Sequence, residues 1–446
     1  MKKVSVASLG CSKNLVDSEN FITGLLSDGF VIEPDEREAE IIVVNTCCFI
    51  DEAKQESFET IAELAEYKKS GKCRLLVVTG CMADRYGEEL VRRIPEIDAV
   101  AKIGADLTEV FKKLQQGNSQ DGILFDGSDI LYYHNRVRTT PGHFAYLKIA
   151  EGCDNNCTYC IIPYIRGRYI SRTPEDILTE AQTMVQGSVR EIIVIAQDTA
   201  SYGCDLAKSG TDGCTFAELL ERLSSLNVRW IRLHYLYPEK IDDELISIIA
   251  SKNNICRYLD IPIQHCSDAV LKRMGRRVTK AYLTRLFARL RAAMPDVVIR
   301  TTVIVGFPGE TDEQFEELCS FIKEQKFERL GVFMYSKEEN TPASRMDGQI
   351  SREVMEQRYN KIIDLQYDAA GEAMSRFKGR RVSVVTEGYD EQSSLYFGRC
   401  YADSPDIDGN VFFSSSKTLS PGDFADVLVT GSEAYDLYGE LAEGES

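Results

Sequence analysis

The chain has 446 residues, of which 43% are hydrophobic and 27% charged, as is ordinary for a globular protein of roughly two to four domains. Its formal net charge of −18 disfavours nonspecific binding to nucleic acid, and no apolar run is long enough to span a membrane. A chain of this length can bury a core that needs no disulfides, so its fourteen cysteines favour metal or redox chemistry.

In the first eleven residues, two lysines precede a short apolar run that ends in Leu-Gly-Cys, which partly matches a lipoprotein signal. The run from Val4 to Leu9 is broken by serines and is shorter than the hydrophobic region of a signal peptide. We therefore predict that this run is the first β-strand and that the protein is cytoplasmic.

Strand and helix signals alternate over residues 1–118. Continuous β-branched runs separated by helices are typical of a parallel sheet covered on both faces, so we predict an N-terminal parallel α/β domain. The predicted strands are Val4–Leu9, Ile41–Val44 and Leu75–Thr79, and the predicted helices are Ser18–Asp28, Asp51–Lys68 and Tyr86–Arg93.

Three cysteines, Cys11, Cys47 and Cys81 (the sheet triplet), each follow the carboxyl end of a predicted strand. Because the carboxyl ends of parallel neighbours lie together, three thiolates would converge there without a short motif. The alternative is that each is an ordinary buried cysteine. Cys73 precedes its strand and side-chain alternation points Cys48 away from Cys47, so neither belongs to the triplet.

Residues 119–142 show no clear periodicity and contain the turn-forming Thr-Thr-Pro-Gly, so we predict a linker. After it, a strand followed by a helix recurs six times. This rhythm predicts a partial (β/α)6 barrel in a central domain at residues 139–372, with its site at the carboxyl ends of the strands. The predicted strands are Phe144–Ala150, Glu191–Ala196, Arg229–Leu236, Tyr258–Ile263, Val297–Val305 and Leu330–Tyr335.

Cys153, Cys157 and Cys160 (the loop triplet) form a C-x3-C-x2-C pattern directly after the first of these strands. Three soft thiolates suit an iron–sulfur cluster or zinc. Zinc needs a fourth ligand, yet no cysteine or histidine follows closely, and His143 precedes the triplet by the length of a strand. A disulfide between two cysteines of this triplet would leave the third one unpaired. Ligand count and spacing therefore favour a 4Fe–4S cluster with one iron open to a substrate.

The spacing of the loop triplet resembles the signature of the radical S-adenosylmethionine (SAM) superfamily, in which the open iron binds SAM. Polar residues and glycines at the carboxyl ends of the other strands, and one arginine inside a strand, then become candidates for SAM contacts. We predict this role for Gln197, Gln264, Arg300 and Gly306. Gln264 is placed to reach the amino acid part of SAM, and Gly306 lets the backbone approach a ligand closely. Arg300 lies inside a strand, and a structural ion pair is the alternative for it.

A long helix is predicted over residues 351–377, after which the pattern changes to short strands separated by turn signals. We predict that residues 375–446 form a small antiparallel β-barrel. The overall fold class is therefore α/β, with this barrel as the third part.

The charge of residues 380–446 is strongly negative, with thirteen acidic and four basic residues, and this segment carries half of the net charge. It indicates either a solvated acidic surface or a docking face for a basic protein, with Asp403, Asp406 and Asp408 in contact with that partner. A tRNA-binding surface would instead offer lysines and arginines to phosphates.

Motifs in all three parts are similar to those of one family. Leu9–Glu19 (Leu-Gly-Cys-Ser-Lys-Asn-Leu-Val-Asp-Ser-Glu), Asn45–Cys47 and Thr79–Cys81 resemble the auxiliary-cluster motifs of the methylthiotransferase family of radical SAM enzymes. The predicted C-terminal barrel resembles the TRAM domain of that family. Within this family, three segments are similar to the branch that acts on ribosomal protein uS12. They are the first motif, Gln197–Thr199 and Ile407–Gly409.

The resemblance implies two 4Fe–4S clusters, an auxiliary cluster on the sheet triplet and a SAM-binding cluster on the loop triplet. It implies that SAM yields a radical that takes a hydrogen from an unactivated carbon, while the auxiliary cluster carries sulfur that a second SAM methylates. For the uS12 branch the carbon is Cβ of an aspartate of that basic protein, free or in the small ribosomal subunit. A low-potential electron donor of the flavodoxin or ferredoxin type is the other implied partner.

One departure from the family and two other functions stay open. The family shows one cysteine where this chain has Cys47 and Cys48, and position favours Cys47 as the ligand. A tRNA adenosine methylthiotransferase of the MiaB type would share the clusters and the chemistry but act on an RNA base. A non-catalytic iron–sulfur scaffold is the third reading, although two complete triplets weigh against it.

Overall fold

The computed structural model describes residues 2–115, 124–127, 132–208 and 213–442. Part of the predicted linker, and the last residues of the predicted N-terminal and C-terminal domains, lie outside these ranges. Within these ranges, no helix is long and apolar enough to cross a membrane. The chain divides into two compact units, the first made of Met1–Pro141, Tyr146–Asp154 and Ile161–Met184, and the second of Gly142–Ala145, Asn155–Cys160 and Val185–Ser446.

Strands and helices alternate along most of the chain. The strands are β1 Lys3–Ser8, β2 Val31–Ile32, β3 Ile41–Thr46, β4 Leu75–Gly80, β5 Ala99–Ala101, β6 Leu124–Phe125, β7 Phe144–Lys148, β8 Ala150–Glu151, β9 Ile170–Ser171, β10 Glu191–Ile195, β11 Trp230–Leu233, β12 Ile255–Asp260, β13 Val298–Val305, β14 Arg329–Met334, β15 Arg381–Asp390, β16 Leu395–Cys400, β17 Val411–Ser414, β18 Phe424–Glu433 and β19 Asp436–Leu441. The α-helices are α1 Ser12–Ser27, α2 Asp51–Ala65, α3 Tyr67–Ser70, α4 Cys81–Arg93, α5 Leu107–Gln115, α6 Ile162–Ile165, α7 Pro174–Gln186, α8 Phe216–Ser224, α9 Asp243–Ser251, α10 Asp268–Arg273, α11 Lys280–Ala293, α12 Asp312–Gln325 and α13 Arg352–Ser375. Short 3-10 helices lie at Thr199–Ser201, Leu206–Lys208, Pro238–Lys240 and Ala343–Arg345.

The N-terminal sheet has six parallel strands in the order β2-β1-β3-β4-β5-β6. All six residues of β3 are buried, because apolar clusters pack on both faces of the sheet. The predicted N-terminal parallel α/β fold is therefore confirmed. The strand order reverses at β1, and doubly wound sheets bind ligands outside the carboxyl ends of the strands at such a switch point.

Two helices of this unit begin earlier than the sequence predicts. α1 begins at Ser12 instead of Ser18, and α4 begins at Cys81 instead of Tyr86. The first turns of α1 carry polar side chains that are nevertheless buried, so the apolar periodicity that marks a helix is absent there. In α4 the backbone of Tyr86 is not helical, which separates the first turn from the amphipathic remainder.

The second unit contains a six-stranded sheet in the order β14-β13-β12-β11-β10-β7, with β10 to β14 parallel. The first two residues of β7, Phe144 and Ala145, belong to this unit. They follow His143, whose carbonyl accepts a hydrogen bond from the N–H of Glu191 at 3.0 Å. Helices follow β10 to β13 along the chain, so the predicted partial (β/α)6 barrel is confirmed.

β15 to β19 close into a small barrel in the order β15-β16-β17-β19-β18. The predicted C-terminal β-barrel is confirmed, with antiparallel pairing except between β17 and β19, which are parallel. β19 is not among the strands that the sequence predicts, because polar and glycine residues interrupt its apolar positions. Its pairing with both neighbours closes the barrel.

Buried ion pairs join the C-terminal barrel to the central sheet within the second unit. Glu191, the first residue of β10, bonds Arg232 (Oε1 to Nε, 2.7 Å) and Arg399 of β16 (Oε2 to Nη2, 2.8 Å). Each of these three side chains is at most 1% exposed. Arg399 also bonds Glu387 at 2.6 Å, so the two buried arginines face two carboxylates.

Asp403 and Asp408 belong to a second buried group of charges. Asp403 accepts a hydrogen bond from Arg329, and Asp408 accepts one from the hydroxyl of Tyr258 at 2.7 Å. The prediction that these two acids contact a docking partner is wrong, because both are buried and neutralise arginines inside the protein. Of the three residues predicted for that role, Asp406 alone is exposed.

Candidate metal centres

The sheet triplet lies at the carboxyl ends of three neighbouring parallel strands, as predicted. β1, β3 and β4 are adjacent, and the last residues of β3 and β4 are paired in register. Cys47 and Cys81 directly follow β3 and β4, and Cys11 follows the end of β1 by three residues. Because β1 is the switch point of the sheet, the triplet occupies the place where such folds bind ligands.

Two glycines let these strand ends approach each other. Gly10 has a φ of +84°, and a Cβ at this position would lie 2.6 Å from Cβ and 2.9 Å from Sγ of Cys47. Gly80 has a φ of +89°, and a Cβ there would lie 2.3 Å from Oδ1 of Asn45 and 2.5 Å from the carbonyl oxygen of Thr46. Any side chain at either position would separate the strand ends that carry the cysteines.

One buried amide, that of Asn14 in the first turn of α1, connects all three strand ends. Its Nδ2 donates to the carbonyl oxygens of Leu9 (3.1 Å) and Thr46 (2.8 Å), and its Oδ1 lies 3.8 Å from Sγ of Cys81. The side chain of Asn45 donates to the Asn14 carbonyl at 2.8 Å. The sequence predicts no separate role for Asn14, because the burial of this asparagine, three residues after Cys11, is visible only in the structure.

The two adjacent cysteines after β3 have different surroundings. The hydroxyl of Ser57 on α2 accepts from the N–H of Cys47 (3.1 Å) and donates to its carbonyl (2.8 Å), which fixes the backbone there. Cys48 is fully buried in an apolar cluster that includes Leu76, and burial raises the pKa of its thiol to about 12. Cys47 is the one that lies against Gly10.

We expect Cys48→Ala to retain the iron of both clusters, because Cys47 and not Cys48 lies against Gly10 beside the sheet triplet. Cys47→Ala should lose about half of the iron, since one of two equal clusters would lack a ligand. Iron and sulfide analysis after anaerobic reconstitution measures both. Loss of iron from Cys48→Ala, with normal iron in Cys47→Ala, would show that the neighbour is the ligand.

Burial and a nearby guanidinium act in opposite directions on the sheet triplet. Burial raises the pKa of Cys81 to about 12 and also raises that of Cys47, whereas the charge of Arg166 favours the thiolate of both. Cys11 is exposed and is the N-cap residue of α1. Iron binding removes the thiol proton, so such a site holds thiolates best when iron is bound.

Within the part of the chain that the structure describes, no three His, Cys, Asp or Glu side chains are arranged to hold a metal ion. Three thiols on separate strand ends suit a larger iron–sulfur core, which cysteine thiolates bind.

The loop triplet is divided between the units, with Cys153 in the first and the other two cysteines in the second. In the first unit, Cys153 follows β8, whose antiparallel pairing with β9 the sequence does not predict. The N–H of Cys153 donates to the carbonyl of Gly167 at 3.2 Å. Gly152 has a φ of +74°, and a Cβ there would lie 2.0 Å from the carbonyl oxygen of Arg168, so glycine is required directly before the cysteine.

In the second unit, the segment with Cys157 and Cys160 contacts the end of α10 and the loop after β11. The N–H of Thr158 donates to the carbonyl of Met274 at 3.0 Å. Sγ of Cys157 contacts the hydroxyl of Tyr237, and the guanidinium of Arg276 lies 3.8 Å from the centroid of the Tyr237 ring. The sequence does not predict these neighbours; the available signal is that Tyr237 follows β11 closely.

Three of the four residues predicted to contact SAM, Gln197, Gln264 and Gly306, lie beyond the carboxyl ends of strands. Gln197 follows β10, and Gln264 follows β12 with a left-handed backbone (φ +70°) and an N–H that donates to Thr302 at 2.8 Å. Asp198, next to Gln197, accepts from Nδ2 of Asn155 at 2.8 Å. These positions are compatible with the predicted role, which stays a prediction.

Gly306 and Arg300, which are also among the four predicted residues, have partners within the protein. A Cβ at Gly306 would lie 2.3 Å from Cγ of Met355, and the N–H of Gly306 donates to Glu310, so helix packing accounts for the glycine. Arg300 is the third residue of β13, and its Nη1 bonds Oδ2 of Asp260 at 2.8 Å. For Arg300 the structure shows the ion pair that the sequence left as the alternative.

Three family models match the chain. The model described as Uncharacterized protein family UPF0004 matches residues 3–102, the Radical SAM superfamily matches residues 147–322, and the TRAM domain matches residues 379–442. The chain is also similar to proteins named ribosomal protein uS12 methylthiotransferase RimO. The one from Lachnoclostridium phytofermentans is 47% identical over 98% of this chain and 99% of its own length. The one from Acetivibrio thermocellus is 44% identical over 100% of this chain and 99% of its own length.

Solved structures show a similar fold at low sequence identity. A radical SAM methyltransferase, TsrM, from Kitasatospora setae, with tryptophan substrate and a SAM analog bound, has a TM-score of 0.59 and 15% identity, covering 84% of this chain and 90% of that chain. The cobalamin-dependent SAM radical enzyme OxsB has a TM-score of 0.55 and 11% identity, covering 83% of this chain and 57% of that chain. At these identities the likeness concerns the fold alone.

Proposed function

This chain belongs to the RimO family of radical SAM methylthiotransferases, enzymes that use SAM and 4Fe–4S clusters, and we propose that its substrate is ribosomal protein uS12. We assign the auxiliary cluster to the sheet triplet and the SAM-binding cluster to the loop triplet. The modified atom is Cβ of an aspartate of uS12. A low-potential donor of the flavodoxin or ferredoxin type supplies the electrons, and such a substrate places the enzyme in the cytoplasm.

The observation that carries this proposal is the meeting of Cys11, Cys47 and Cys81 at the switch point of a parallel sheet. These positions are 36 and 34 residues apart in the chain, so no short motif explains their convergence. When bound, the SAM-binding cluster would supply the electron for SAM cleavage, and the auxiliary cluster would carry the sulfur. The chain supplies position, because Asn14 and Ser57 fix the backbone around the cysteines through their side chains.

At the loop triplet, the residues of the chain orient the ligands and SAM. Tyr237 contacts Cys157, and Asn155 is fixed by Asp198, so the segment enters the site with a defined conformation. We retain Gln197 and Gln264 as SAM contacts, because both follow the carboxyl ends of strands. Gly306 also follows a strand, but the packing of Met355 against it accounts for that glycine. Arg300 is left out of this set because its charge is engaged by Asp260.

The substrate is a basic protein, and the exposed acids of the C-terminal barrel provide complementary charge. Asp403 and Asp408 take no part, since their side chains are 1% and 4% exposed and face arginines of the protein. Attraction between exposed charges speeds encounter and weakens with salt. The exposed acidic residues of the barrel within the described range are Glu391, Asp406, Asp423, Asp426, Glu433 and Glu440.

Mass spectrometry of uS12 tests the proposed function. We expect the reconstituted enzyme, with SAM and a reductant, to add a methylthio group to one aspartate of uS12, either as free protein or in the small ribosomal subunit. The two acceptors are tried in parallel, and protein without reconstituted iron is the control. A methylthio-adenosine in tRNA with unmodified uS12 would instead support the MiaB-type alternative, and the absence of any SAM cleavage would support a scaffold.

A further inference from the structure

Arg166 is a buried cation to which the sequence motifs assign no role. Its side chain is 2% exposed and lies in the first unit, at the carboxyl end of α6. Nη1 bonds Asp17 at 2.7 Å and Glu151 at 3.2 Å, and Nη2 bonds Oδ1 of Asn14. One guanidinium therefore holds three acceptors from two distant parts of the chain, two on α1 and one at Glu151.

Two of these acceptors belong to the two cysteine segments. Asn14 connects the strand ends of the sheet triplet, and its Oδ1 lies 3.8 Å from Sγ of Cys81. Glu151 stands two residues before Cys153, the first cysteine of the loop triplet. The planar fork of an arginine holds several acceptors in fixed directions, which the single ammonium of a lysine does not.

The charges around Arg166 balance, but they are not evenly placed. Arg166 and Lys148, whose side chain is fully buried, face the carboxylates of Asp17 and Glu151. Of the four, Arg166 is the one bonded to Asn14, beside the sheet triplet. A positive charge at such a buried position stabilises negative charge that is added nearby.

We infer that Arg166 is a positioning residue that links the two cysteine segments and makes the auxiliary cluster easier to reduce. The inference rests on the proposed function in one respect, that the sheet triplet holds a cluster. Reduction adds one electron, taken from the low-potential donor, and leaves the three iron–thiolate bonds in place. The field of Arg166 acts on that added charge.

The test measures the midpoint potential of the auxiliary cluster alone, in full-length protein whose loop triplet is replaced by alanine. We expect Arg166→Met to lower the ratio of reduced to oxidised cluster about tenfold at a fixed potential, which is about 59 mV for a one-electron couple. Arg166→Lys should restore most of this ratio because it keeps the charge. Arg168→Met, two residues away and exposed, is the matched control and should leave the potential unchanged.

A second variant has the opposite sign. Glu151→Gln removes a negative charge that offsets Arg166, so it should raise the midpoint potential, and it remains informative if Arg166→Met does not fold. Unchanged potentials in the variants that fold, at normal iron content, would overturn the inference. Failure of the parent protein with an intact sheet triplet to bind iron would instead overturn the proposed auxiliary cluster, so the two failures are distinguishable.

Discussion

Alanine at all three positions of the loop triplet should abolish SAM cleavage and leave about half of the iron in the reconstituted protein. SAM binds through an iron that lacks a protein ligand, and a cluster held by three cysteines offers one. Alanine at all three positions of the sheet triplet should also leave about half of the iron, but SAM cleavage should persist while methylthio transfer stops. The two variants therefore separate SAM cleavage from sulfur transfer.

Iron and sulfide analysis, together with chromatography of 5′-deoxyadenosine, measures these outcomes. Cys204→Ala is a matched control, because this cysteine is exposed and belongs to neither triplet. It should keep full iron and full SAM cleavage. An equal loss of SAM cleavage in both triple variants would contradict the assignment of separate roles to the two triplets.

Glu191→Gln should lower the free energy of unfolding of the second unit by about 3–5 kcal/mol. The change removes the negative partner that Arg232 and Arg399 share, and both arginines are at most 1% exposed. Leaving a buried charge unpaired costs far more than losing a pair in water. Glu356→Gln is the control, because its pair with Arg352 is exposed and should contribute less than about 0.5 kcal/mol.

The same carboxylate should make this unit sensitive to acid. Burial acts to raise the pKa of Glu191, but Arg399 and Arg232 outweigh burial and hold this pKa at about 2, below the ordinary value of 4.5. The stability that this lowered pKa represents is fully present above pH 4.5 and is lost as the pH falls towards 2. Denaturant unfolding of wild type and Glu191→Gln across that range should show a larger loss of stability in wild type; parallel curves would rule out this role of Glu191.

The strand ends were predictable from the sequence, because continuous β-branched runs mark buried parallel strands whatever their partners. That is why the sheet triplet could be recognised without a motif, and its place at neighbouring strand ends is confirmed. The start of α1 was not predictable, since its first turns bury polar residues such as Asn14 that serve the cysteines and not an apolar core. Periodicity detects burial of apolar side chains alone.

Long-range ion pairs also lie outside what a sequence pattern reveals. Arg166 bonds Asn14 across 152 positions, and Arg329 bonds Asp403 across 74. The net charge of a segment does not show which of its acidic residues are buried. For this reason the sequence wrongly predicts Asp403 on a docking face. Arg300 had two interpretations for the same reason, and only coordinates show its bond to Asp260.

The two cysteine triplets span different lengths of chain, so their thiols come together at different stages of folding. The loop triplet lies within eight consecutive residues, so its thiols are near one another even before the chain folds. The sheet triplet extends from Cys11 to Cys81 and meets only when β1, β3 and β4 have paired. On the proposed assignment, a cluster delivered there would bind the folded sheet and not the unfolded chain, so its delivery would shift the folding equilibrium of the N-terminal sheet towards the folded state.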